Sequence, residues 1–91
     1  MSRLDDAAVG AALRHTPGWE RAGSAIRRTY RFTDFREALA FVNRVGDLAE
    51  RAGHHPDIDI HYNAVTLVLT THDAGGLSAK DFDLARAIDG G

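Results

Sequence analysis

A carboxylate and three histidines fall within one short stretch of this chain: Glu50, then His54 and His55 ahead of Pro56, then His72. Imidazole has an unperturbed pKa near 6.5, so a histidine can both give and take a proton near neutral pH. Several of them beside a carboxylate make a candidate acid–base site. Glu50 and His54 are four residues apart at the end of a predicted helix, where side chains at that spacing are neighbours, so Glu50 can orient the His54 ring. Judged alone, the pair reads first as a histidine cation at a helix C-terminus. His55 precedes proline, which pushes its backbone toward an extended conformation. The two rings can therefore line different walls of one pocket. His72 follows a predicted strand and continues its polar face. Asp81 opens the last predicted helix, where a capping box with Ser78 is enough to account for it. Trp19, after Pro17-Gly18, reads as a core residue or as an aromatic wall beside a flat ligand. His15 and His61 receive no role. A three-ligand metal site from Glu50, His54 and His72 is an alternative, although the helical zinc pattern of two histidines four apart with a glutamate between them is absent.

The elements that must position these residues follow from hydrophobic periodicity. Leu4–Arg14 reads as a first helix that Asp5 can cap, ended by Thr16-Pro17-Gly18. Trp19–Gly23 is a short strand or turn. Ile26–Phe32 alternates as a half-buried strand, with Arg28 falling on its apolar face. Thr33 or Asp34 caps a long second helix reaching Ala52. Its apolar residues Phe35, Leu39, Phe41, Val42, Val45 and Leu48 exceed one stripe, so more than one side is expected to be buried. Gly53 supplies a left-handed helix end and Pro56 forbids continuation. Asp57–Tyr62, with Ile58, Ile60 and Tyr62 on one side, pairs as a hairpin with Val65–Thr71 through a turn at Asn63-Ala64. Val65, Leu67 and Leu69 share the buried face. Leu77 and Phe82 staple the last helix. The short connections favour an α+β domain, an antiparallel sheet with helices on one face.

The chain has 91 residues and reads as one domain, 1–91, with a modest core. Its formal net charge is −2, without the basic excess of a nucleic-acid binder. It has no cysteine, which excludes disulfides, thiolate metal sites and cysteine catalysis. No apolar run is long enough to span a membrane, and the acidic N-terminal segment does not read as a signal peptide. A cytoplasmic protein is expected, with neither nucleic acid nor membrane as a partner.

Taken in order, these residues resemble the pterin-4a-carbinolamine dehydratase (4a-hydroxytetrahydrobiopterin dehydratase) family. The pattern is an acidic or polar residue, three positions, His-His-Pro, five positions, an aromatic, nine positions and a histidine, with an aspartate further on. Here it reads Glu50, His54-His55-Pro56, Tyr62, His72 and Asp81. Pro17-Gly18-Trp19, Phe41-Val-Asn-Arg-Val45 and the run from Thr71 to Ser78 are also similar, so the likeness covers nearly the whole chain. The resemblance implies a four-stranded antiparallel sheet with three helices on one face. It implies a lyase that needs no metal or cofactor and removes water from a 4a-hydroxytetrahydropterin to give the quinonoid dihydropterin, in tetrahydrobiopterin recycling after an aromatic amino-acid hydroxylase. In that reading His54 and His72 are the acid–base pair, and His55 holds the pterin. Glu50 orients His54, Asp81 orients or polarises His72, and Trp19 closes the pocket. Family members form dimers and tetramers, so a homo-oligomer is expected. A non-catalytic interaction or dimerisation module and a metal-dependent lyase are the rival readings.

Overall fold

Helix boundaries in the computed structural model, which describes residues 2–90, are set by carboxylate caps. Met1 and Gly91, the ends of the expected 1–91 unit, lie outside those residues. The Asp5 carboxylate accepts a hydrogen bond from Ala8 N–H at 2.8 Å, satisfying a donor that the first helical turn would leave free. Helix α1 therefore runs Asp6–Leu13, starting inside the expected Leu4. Asp34 caps α2, Phe35–Ala52, by accepting from Glu37 N–H at 2.9 Å. Gly53 ends α2 with a φ of 62°, a left-handed conformation that costs glycine little. Ser78 and Asp81 form the expected capping box at α3, Ala79–Ile88.

Four strands lie between these helices: β1 Glu20–Ala22, β2 Ala25–Arg31, β3 Asp57–His61 and β4 Ala64–Leu69. They form one antiparallel sheet in the order β1-β2-β4-β3. The β3–β4 turn is Tyr62-Asn63, one residue earlier than the sequence suggested, and Tyr62 takes a φ of 50°. Asn63 accounts for the shift. Its backbone carbonyl accepts from Phe32 N–H and its side-chain amide donates to Phe32 O, both at 2.9 Å. That ties the turn to the end of β2.

Alternate residues of β2 and β4 – Ile26, Val65, Leu67 and Leu69 – meet Val9 of α1, Ala38, Val45 and Ala49 of α2, and Phe82, Ala85 and Ile88 of α3 in one buried cluster. The architecture is thus α+β, three helices on one face of a four-stranded antiparallel sheet, as expected. The helical layer stops short of β3. Ile58 and Ile60 pair with Leu67 and Val65, so they face the helix side. Yet they are 39% and 36% exposed, and Phe35 and Leu39 of α2 are 46% and 39% exposed. The expected burial of a second side of α2 is therefore incomplete within one chain: Val42 and Leu48 are partly covered, Phe35 and Leu39 are not. Among the described residues no helix is long and apolar enough to cross a membrane.

Candidate functional site

The left-handed Gly53 stops α2 and Pro56 immediately precedes β3, so His54 and His55 occupy a bend between helix and sheet edge. Their side chains diverge there. Across the bend, β4 ends at Leu69, and Thr71 bridges to Gly76 around a single 3-10 turn, His72–Ala74. That turn returns the chain to the site and offers His72 from the opposite side. His54, His55 and His72 together line one hollow of about 290 Å³, with Thr70, Asp73 and Lys80.

Each histidine of the consecutive pair has its own carboxylate. His54 Nε2 lies 2.5 Å from Asp81 Oδ1. The Asp81 carboxylate is fully buried, and its other oxygen accepts from Thr71 Oγ1 at 2.8 Å and from Ser78 N–H at 3.0 Å. Because the Thr71 hydroxyl spends its proton on Asp81, its 2.8 Å contact with Ser78 Oγ has Ser78 as donor. A carboxylate with that many donors keeps its acceptor role toward His54 as well, so Nε2 carries the proton in that contact. The His54 side chain is 11% exposed. His55 Nε2 lies 2.5 Å from Glu50 Oε2, but both groups are open to solvent, at 63% and 77%.

This arrangement corrects two expectations. Asp81 partners His54 rather than His72, because the N-terminus of α3 packs beneath the end of α2. Glu50 partners His55 rather than His54, because the helix ends before His54 and the four-residue spacing no longer sets their geometry. Trp19 is a third correction. It is buried in the core, donates Nε1–H to Asp89 Oδ2 at 2.9 Å and lines no part of the histidine hollow. Its ring meets Tyr30 edge-on at 6.3 Å.

The sequence reading passed over Thr71 and Lys80. Thr71 is almost fully buried and holds Asp81. Lys80 lines the histidine hollow and also the groove between α2 and α3 that His54 borders. Its place one residue before Asp81 was the available signal. No group of three or more His, Asp or Glu side chains among the described residues is disposed to hold a metal ion. The candidate set Glu50, His54 and His72 does not converge, since Glu50 and His54 point to different partners.

A four-stranded antiparallel sheet with three helices on one face is shared with solved structures. A protein of Brucella melitensis described as a transcriptional coactivator/pterin dehydratase superposes with a TM-score of 0.93 at 33% identity, covering 98% of this chain and 97% of that one. A pterin dehydratase-like protein identified as a RuBisCO assembly factor in the α-carboxysome shares the fold, with a TM-score of 0.69 at 22% identity over 84% of this chain and 90% of that one. The model of the pterin 4 alpha carbinolamine dehydratase family matches residues 2–90, and the chain belongs to that family. A protein of Thermomicrobium roseum carrying the family's name is 60% identical over 88 residues, 97% of this chain and 95% of that protein. A namesake from Roseiflexus sp. is 57% identical with the same coverage.

Proposed function

We propose that this chain, acting as a single domain, dehydrates a 4a-hydroxytetrahydropterin to the quinonoid dihydropterin by histidine acid–base chemistry. The observation that carries the reading is the meeting of His54, His55 and His72 on one hollow, with His54 backed by the buried Asp81 carboxylate.

The C4a–O bond breaks with hydroxide as a poor leaving group, so one group must protonate the departing oxygen, and a base must take the ring-nitrogen proton. His54 and His72 serve as that pair. With Nε2 of His54 committed to Asp81, Nδ1 is the nitrogen left for proton exchange. Asp81 fixes the orientation and tautomer of the ring, as a buried carboxylate does for a catalytic histidine. His55, steadied by Glu50, contacts the pterin at the rim. None of these steps requires a metal ion. An aromatic amino-acid hydroxylase in the cytoplasm would supply the substrate.

A homo-oligomer goes with this reading. Ile58, Ile60, Phe35 and Leu39 leave an apolar strip open beside the unpaired edge of β3, and a second copy would cover it. A partner-binding role, such as those named for the Brucella and carboxysome relatives, would use the same strip.

The test is turnover of a freshly generated 4a-hydroxytetrahydropterin by wild type and by His72→Ala, followed spectroscopically. The expected loss is about 10²-fold or more, the range for a missing acid or base, and exhaustive chelation leaves the wild-type rate unchanged. Full activity in His72→Ala removes that residue from the pair. Loss on chelation, restored by zinc, overturns the metal-free mechanism.

A further inference from the structure

A second hollow, of about 800 Å³, shares no lining residue with the histidine hollow. Its walls include Arg28, Arg44 and Arg86, and its floor includes the rings of Tyr30, Phe32 and Phe41. The rings form a continuous surface: Phe41 lies 4.6 Å from Tyr30 and 5.0 Å from Phe32 between centroids.

The arginines are held in place by the fold. Arg28 Nη1 donates to Pro17 O and to Asp89 Oδ2, both at 3.1 Å, and its guanidinium lies 4.6 Å from the Tyr30 ring centroid. Gly18, at a φ of +92°, makes room for it, since a Cβ there would come within 2.5 Å of Arg28 Nη1. The Pro17-Gly18 motif thus serves this hollow rather than the histidines. Arg44 lies 5.4 Å from the Phe41 centroid and donates Nη2–H to Ile88 O at 2.8 Å. Arg86 pairs with Asp83 and Arg28 with Asp89. Arg44 has no carboxylate within ion-pair distance among the described residues. Asp89 also lines the hollow and neutralises Arg28, so the cation left without a carboxylate among the described residues is Arg44, over the aromatic floor.

A guanidinium presents a fork of donors that matches a carboxylate or phosphate, and it does so best where aromatic surface displaces water. We propose that this hollow binds a small flat ligand bearing an oxyanion, with the anion on Arg44 and Arg86 and the ring against Phe41 and Phe32. The site stays open in an oligomer built on the apolar strip. Phe35, nine positions before Arg44, sits about half a turn away around α2.

The test uses the ¹⁵N-labelled full chain, titrated separately with benzoate, AMP and inorganic phosphate while amide shifts are recorded. Benzoate or AMP is expected to give saturable shifts confined to residues 28–32, 41–44 and 86–89. Whichever of the two binds more tightly tells carboxylate from phosphate. Phosphate alone is expected to bind at least tenfold more weakly. Arg44→Gln weakens binding about tenfold and Arg86→Gln severalfold, with dehydratase turnover unchanged in both. Absence of saturable shifts at millimolar ligand overturns the proposal. So do phosphate binding as tight as that of either ring-bearing ligand, shifts centred on His54 and His72, and affinity indifferent to both substitutions. If Arg44→Gln does not fold, Arg86→Gln decides.

Discussion

His54 and His55 are consecutive, and each sets a ring nitrogen 2.5 Å from a carboxylate, yet they do different physical work. The His54–Asp81 pair is closed off from water and tied through Thr71 and Ser78 to the start of α3. Charges there are weakly screened, so the pair holds one geometry firmly, and losing either member strands the other. The His55–Glu50 pair stands in solvent, where an ion pair contributes about 0–1 kcal/mol and both chains remain free to move. Distance alone does not rank the two contacts; burial does. The closed pair suits a group that must present the same atom at every turnover, and the open pair suits one that meets and releases a ligand.

The widest separation between the pairs is expected in catalysis. His54→Ala should lower turnover by about 10²-fold or more, whereas His55→Ala should act mainly through KM. Steady-state kinetics that split kcat from KM check this, and equal kcat losses would erase the distinction.

Next comes stability. Asp81→Ala removes three hydrogen bonds, one of them half of the capping box, and should cost about 3 kcal/mol in urea unfolding. Glu50→Gln should stay within about 0.5 kcal/mol. A small loss for Asp81→Ala would mean that the buried network is dispensable to the fold.

The smallest effect concerns a third pair, intermediate in burial. The Tyr30 hydroxyl donates to Asp89 Oδ1, and its pKa is held well above the ordinary 10.0, by burial first and by Asp89 second. The folded protein keeps this proton when the unfolded chain has lost it. The resulting stability is complete below pH 10 and drains away as pH rises toward the folded-state value. Tyr30→Phe should therefore flatten the alkaline fall in stability above pH 10, measured by denaturant midpoints. An unchanged alkaline slope would detach Tyr30 from it.

The sequence displayed the fold more completely than it displayed the pairing. Strand alternation in Val65, Leu67 and Leu69, the caps Asp5, Asp34 and Ser78, and the Gly53 stop are local signals, and each element formed where they put it, within a residue or two. The histidines also met at one hollow. What the sequence hid was which carboxylate serves which ring. That depends on how the start of α3 docks under the end of α2, a contact 27 residues apart in the chain that no local pattern encodes. Trp19 misled for a similar reason, because its hydrogen-bond partner Asp89 lies 70 residues away. Arg28, an apparent fault in the alternation of β2, is only half-buried, its guanidinium held at the rim of the second hollow by Tyr30 and Asp89.

The position of α3 has a consequence for the order in which contacts form during synthesis. Asp81 lies in its first turn and Asp89 caps its end. The partners of His54, Trp19, Arg28 and Tyr30 therefore all leave the ribosome after the sheet and α2 have been made. A nascent chain that has paired its four strands still has an unanchored His54 and an open seam beside Trp19. Domains acquire structure in step with chain elongation, so the His54–Asp81 pair and the contacts of Asp89 form only once α3 docks against α2 and the sheet. Burial of the His54 ring, rather than sheet content, would then report the docking of α3.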